Sequence, residues 1–278
     1  MLKKLALLVA SGLFSYSANA GLFDSSDFKC GRDDAVKALS DHIRNDALSL
    51  LQSDFLTKSQ NDDGKLRSTY DKPLSMYQNR LGSISIVIKD VSTEGHGSYG
   101  LNCRATILLK IPHETMDVIS NKSSFLDSLT GSQGKFNNGS IVWNNVSYSV
   151  KLADNNKDIL LREFEGTDIS SAILSSSILA EDKDKFLKLI SDKYLLEKQS
   201  AYADADRELN ITWKELPDSA RKSLKKEQLA WVNDKVKKCG KISDAASETV
   251  DVNKRASIYQ CQMKMTKERI SYLSGNNG

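Results

Sequence analysis

Four cysteines constrain this chain most: Cys30 and Cys103 in the first half, Cys239 and Cys261 in the second. What they can form depends on the compartment. The chain opens with Lys3 and Lys4, an apolar run from Leu5 to Phe14, and Ala18-Asn19-Ala20. That order is a charged n-region, a short h-region and a small-x-small cleavage site, so residues 1–20 are expected to be removed. The run is too short to span a bilayer. Gly21 rather than cysteine follows it, so no lipid or membrane anchor is expected, and the product is read as a soluble periplasmic or secreted protein. In that setting an even set of four cysteines reads as two disulfides, with three pairings open. Pairing within each half, Cys30–Cys103 and Cys239–Cys261, is the simplest arrangement, because each half then closes around its own core. The thiols lack the C-x-x-C spacing of a structural zinc site, so no metal is expected.

Without Lys3 and Lys4 the chain has 37 basic and 36 acidic residues, a net charge of +1. Such a balance provides no long-range field to gather nucleic acid or an anionic membrane. The remaining 258 or so residues suffice for two ordinary domains.

In the first half, Asp33 or Asp34 can cap a helix carrying Val36, Leu39, Ile43, Ala47, Leu50 and Leu51 at helical spacing. It is expected to end before "KSQNDDGK". After Pro73 the period falls to two. Ile84, Ile86 and Ile88 alternate with Ser83, Ser85 and Val87. Ala105, Ile107, Leu109 and Ile111 repeat the alternation up to Pro112, which cannot extend a central ladder. Val146, Tyr148, Val150 and Leu152 form a third strand, and "ADNNKD" turns the chain into a fourth, Ile159 to Phe164. One helix followed by four strands predicts an α+β domain over residues 21–166, with an antiparallel sheet on which the helix packs.

Candidate chemistry is sparse. "GHGSYG", Gly95 to Gly100, formally matches G-x-G-x-x-G, but a dinucleotide site needs a helix after it, and here a strand follows. It reads as a hairpin tip, and His96 as a solvated side chain. His42 lies beside the apolar row of the first helix. His113 begins "HETMD", which lacks the second histidine of H-E-x-x-H. No G-x-S-x-G occurs and no cysteine neighbours a histidine. The chain is therefore read as not an enzyme, with no cofactor.

From Asp168 to about Tyr202 helical spacing returns, in Ile169, Ile173 and Leu179, then Phe186, Leu189, Ile190 and Tyr194, with a bend at the charged "LAEDKDK". Residues 167–202 are taken as a helical connector. Pro217 then breaks the helix containing "ADRELNITW". The next helix carries Leu224, Gln228, Trp231 and Lys235 on one stripe and ends at Cys239-Gly240. The last has Ala256, Tyr259, Met263, Thr266, Ile270 and Leu273 at seam spacing. Residues 203–278 are thus expected to form a small three-helix domain.

These helices carry a resemblance. "ADRELN" followed by Trp213, "Q-x-x-W", a cysteine eleven after that Gln, and "C-x-x-x-M-T-x-x-R-x-x-x-L" resemble the LprI-like domain, a small cysteine-containing helical domain named for a lysozyme inhibitor. The matching positions are Asp206, Leu209, Asn210, Trp213, Gln228 and Trp231, then Cys239, Cys261, Thr266, Arg269 and Leu273. The chain departs from the family at Lys235-Val236, where Arg-Asp is usual, and in having fewer cysteines. The resemblance implies a binding protein that protects the envelope by inhibiting a lysozyme-type hydrolase. An envelope module with another protein or glycan partner is the alternative, and an enzyme of unknown type the second alternative. Residues from Asp204 onward hold 15 basic and 11 acidic side chains, net +4, against 22 and 25, net −3, for Gly21–Ala203. That speaks against simple electrostatic capture of a cationic lysozyme by the last domain. Asp206, Asn210, Gln228 and Arg269 are read as a polar lock between helices, with a ligand-binding surface as the alternative.

Overall fold

The computed structural model describes residues 28–60 and 70–275. The cleavage segment 1–20, the new start at Gly21 and most of "KSQNDDGK" lie outside them. The elements run α1 (Asp33–Gln60), α2 (Leu74–Ser83), β1 (Ile86–Gly97), β2 (Gly100–Lys110), α3 (His113–Asn121), α4 (Ser124–Thr130) and β3 (Lys135–Asn137). They continue as β4 (Ser140–Leu152), β5 (Ile159–Arg162), α5 (Thr167–Glu181), α6 (Lys183–Glu215), α7 (Asp218–Cys239), α8 (Ile242–Ala246) and α9 (Val252–Leu273). The fold is α+β. Among the described residues no helix is long and apolar enough to cross a membrane.

The sheet has five strands in the order β1-β2-β4-β3, with β5 also pairing β4. Four were expected; the addition is β3, whose three residues pair antiparallel with Ser140–Val142. Three residues are too few to show an alternation. The first strand begins at Ile86 rather than Ile84, because Pro73 starts a helix whose C-cap is Ile84. The last stops at Arg162, since Glu163 takes a positive φ of 49° and leaves the ladder. "GHGSYG" is the hairpin tip joining β1 to β2. Gly100 is needed there: its φ is 128°, and a Cβ would collide with the carbonyl of Val150. In β4 the buried set passes from Ile141 and Trp143 to Val146, Tyr148 and Val150. The parity change falls at Asn145, whose φ of 57° breaks the pleat as a bulge does.

The chain forms two compact units. One comprises residues 28–42, 88–106 and 145–165 of the described chain; the other comprises 43–60, 70–87, 107–144 and 166–275. In the first, the Cys30–Cys103 disulfide ties the segment before α1 to β2, and Ala35, Leu39, Leu101 and Val150 are buried. In the second, Ile43, Ala47, Tyr77, Leu81, Ile107, Trp143, Ile169 and Ile173 fill the core. A further cluster joins Leu195 of α6 to Ala245, Ala256, Ile258 and Tyr259. The bend expected in "LAEDKDK" falls at Asp182, between α5 and α6.

Candidate functional site

The carboxy-terminal helices are built around one polar seam. Pro217 stands between α6 and α7 and cannot supply the amide that would continue the first helix. Arg221 pins the corner by donating to the Lys214 carbonyl at 2.7 Å. α7 ends at Gly240, with φ 95°, and the Cys239–Cys261 disulfide joins that end to the body of α9. Gln262 of α9 donates its amide to the Gly240 carbonyl at 2.7 Å, fastening the same corner a second time.

Along the seam two cations flank one aromatic ring. Arg269 is 6 % exposed; its Nε donates to Gln228 Oε1 at 2.8 Å, and it pairs with Glu227. Its guanidinium lies 4.6 Å from the Tyr272 ring centroid and 5.9 Å from that of Trp231. Lys235, also 6 % exposed, has its Nζ 4.7 Å from the Trp231 centroid and 5.7 Å from that of Tyr202. Nζ donates to Thr266 Oγ1 at 3.3 Å, while that hydroxyl donates to the Gln262 carbonyl at 2.7 Å. Burial pushes the Lys235 ammonium below its ordinary pKa, and the field of Asp206 pulls in the opposite direction. Burial likewise raises the Tyr202 phenol, with Asp206 adding to it. Arg269 Nη2 and Gln262 Oε1 are buried with no partner among the described residues.

The expected four-residue lock thus resolves into two pairs. Arg269 meets Gln228, whereas Asn210 donates to the Asp206 carbonyl at 2.9 Å and to its carboxylate at 3.4 Å, one turn away on α6. No bond joins the two pairs among the described residues. Leu209 is buried, and Trp213 and Leu273 are half-buried. Thr266 serves the Lys235 ammonium. α9 is turned so that Gln262 and Arg269 are buried, while Met263 and Ile270 are only half-buried. Two seam residues fell outside the expected lock: Glu227, which pairs with Arg269, and Lys235. Lys235 had a sequence signal, standing four after Trp231 on the Gln228 stripe.

The histidines stand apart. His96 is exposed at the hairpin tip, His42 meets the Phe164 ring edge-on at 5.4 Å, and the His113 side chain is 86 % exposed. Among the described residues no three His, Cys, Asp or Glu side chains converge as a metal site would require.

Together these contacts make a small disulfide-tied helical module whose helices are joined through a cation–aromatic seam. Residues 198–273, which contain the whole seam, match the family described as Lysozyme inhibitor LprI. No curated protein and no solved structure matches the chain.

Proposed function

We propose that the protein is an exported binding protein that restrains a lysozyme-type hydrolase through the segment 203–278, with 21–166 as the α+β domain and 167–202 as the helical connector. The observation carrying this reading is the match over residues 198–273 to an inhibitor family. Disulfides persist in oxidising compartments, which supports a place outside the cytoplasm, and the signal pattern of residues 1–20 supports export. In this reading the protein does no chemistry of its own and needs no cofactor. Gln228 and Arg269 act by holding α7 and α9 at a fixed crossing, while Asp206 and Asn210 bond within α6.

The excess of basic residues after Asp204 fits a local contact better than wholesale attraction to a cationic enzyme. Glycoside hydrolases carry a pair of carboxylates across the scissile bond, and a basic module can reach into such a cleft. The test is the purified mature protein titrated against lysozyme on a cell-wall substrate. Saturable slowing of lysis is the expected result. No slowing at molar excess, with pull-down of an unrelated protein or glycan from envelope extract, would instead favour an envelope interaction module.

A further inference from the structure

The stripe Phe186, Leu189, Ile190 and Tyr194 has the spacing of a buried helix face, yet α6 leaves much of it open. Leu189 is 52 % and Tyr194 40 % exposed, while Phe186 and Ile190 are half-buried. Phe125 of α4 meets Phe186 edge-on, with centroids 5.6 Å apart, and closes the far wall. Between them lies a mainly apolar cavity of about 380 Å³, with Lys122 and Lys193 on its lining. Neither lysine has an ion-pair partner among the described residues. Glu197 is the one carboxylate on that lining, so the local charge is net positive.

We propose that this cleft binds a free fatty acid, with its chain against the two phenylalanines and its carboxylate on Lys122 and Lys193. The volume falls in the range of single small-molecule sites, and the lining has their usual mixture of apolar walls and a few polar groups. Two acyl chains of a phospholipid would overfill it. A peptide would bring a row of backbone donors and acceptors to walls that are largely ring and aliphatic carbon. A cationic amphiphile would meet the two ammonium groups. The cavity is lined by residues 121–197, upstream of the inhibitor match, so the inference does not rest on lysozyme binding.

Equilibrium dialysis of the full mature chain with octanoate, decanoate and laurate, below micelle formation, tests it. One saturable site is expected, tightening about fourfold per added methylene until the cleft is full. Lys122→Glu/Lys193→Glu should weaken laurate about tenfold or more, and Glu197→Gln should tighten it. Leu189→Glu places a charge on an exposed wall position, where an unchanged melt and helix signal show that the fold persists, and it should abolish binding. The proposal fails if laurate shows no saturable site or if affinity ignores chain length. Dodecyltrimethylammonium binding as tightly as laurate would also overturn it. So would sedimentation with phosphatidylglycerol vesicles by a chain that takes up no laurate.

Discussion

Two buried ionisable groups in the same compact unit show how differently one chain can house a charge. Asp182, at the joint between α5 and α6, is 4 % exposed and accepts a 2.7 Å hydrogen bond from Tyr77, with Lys72 Nζ 3.8 Å away. Lys235, on the seam of α7 and α9, is as deeply buried but has aromatic rings, a hydroxyl and the field of a carboxylate. Burial disfavours the charged form of both, raising the Asp182 pKa and lowering that of Lys235. The consequences for stability have opposite signs. The contribution of Asp182 is fully present below its unfolded pKa, about 3.9, and lost as pH rises through the raised folded value. That of Lys235 is present above its unfolded value, about 10.4, and lost as pH falls through the lowered one. The surroundings differ too: Asp182 sits beside a core containing Trp143, Tyr77 and Ile173, whereas α7 buries no residue but Lys235.

The thinner of the two surroundings should depend more on its covalent tie. Replacing Cys239 and Cys261 by Ser reopens a loop with a sequence separation of 22, a loss of about 3 kcal/mol in the loop-entropy account. Chemical denaturation of the full chain followed at Trp231 should show the seam melting early, while the Asp182 region keeps its transition. One shared, unshifted transition would break the contrast.

Arg269→Ala follows, at about 2–3 kcal/mol, because it removes the buried guanidinium's packing against Tyr272 and takes the donor from the half-buried Gln228 amide. Double-mutant cycles sharpen it. Arg269 and Gln228 should couple by more than about 0.5 kcal/mol, whereas Arg269 and Asp206 should add. Strong coupling of the latter pair would restore the single four-residue lock.

These cases show where sequence reading succeeds. α1, the β1–β2 hairpin and the alternation of β4 after Asn145 follow from periods of 3.6 and 2 with turn chemistry between them. Upstream of Asn145 the inward parity is reversed, so one alternation could not cover the strand. α2, α3 and α4 are 10, 9 and 7 residues long, too short for a stripe to stand out. At the site, Trp231, Gln228 and Arg269 were legible through motif spacing, but Glu227, the ion-pair partner of Arg269, was not. Asp182 lies in a charged run that reads only as a bend, and its partner Tyr77 is 105 residues away in sequence. Only tertiary packing buries it.

Tyr77→Phe should come next, at about 1–2 kcal/mol near neutral pH, because ionised Asp182 loses its donor. Losing a bond to the charged form raises the Asp182 pKa further. The cost should therefore shrink as pH falls and Asp182 protonates, as urea melts on the acid side can measure. A penalty that stays level with pH would mean that Tyr77 acts through packing alone.

The smallest effect should come from Lys235→Met, and its sign is the sharpest test. Methionine keeps most of the volume and is flexible enough to fill the space beside Trp231. The change forfeits two cation–ring contacts, about 0.5–2 kcal/mol together, and the bond to Thr266. It recovers the desolvation of an ammonium with no carboxylate within ion-pair distance among the described residues, and exchanging a buried charge for a packed apolar group is often neutral or stabilising. The net should lie within about 1 kcal/mol of the parent at neutral pH. As pH rises through the lowered folded pKa towards the unfolded value of about 10.4, the parent should lose its Lys235 penalty, whereas the variant has none to lose. The stability difference should thus move towards the parent as pH rises. A loss above about 2 kcal/mol at neutral pH, shrinking on the alkaline side, would show that the rings and Asp206 outweigh burial and that Lys235 is held as firmly as Asp182.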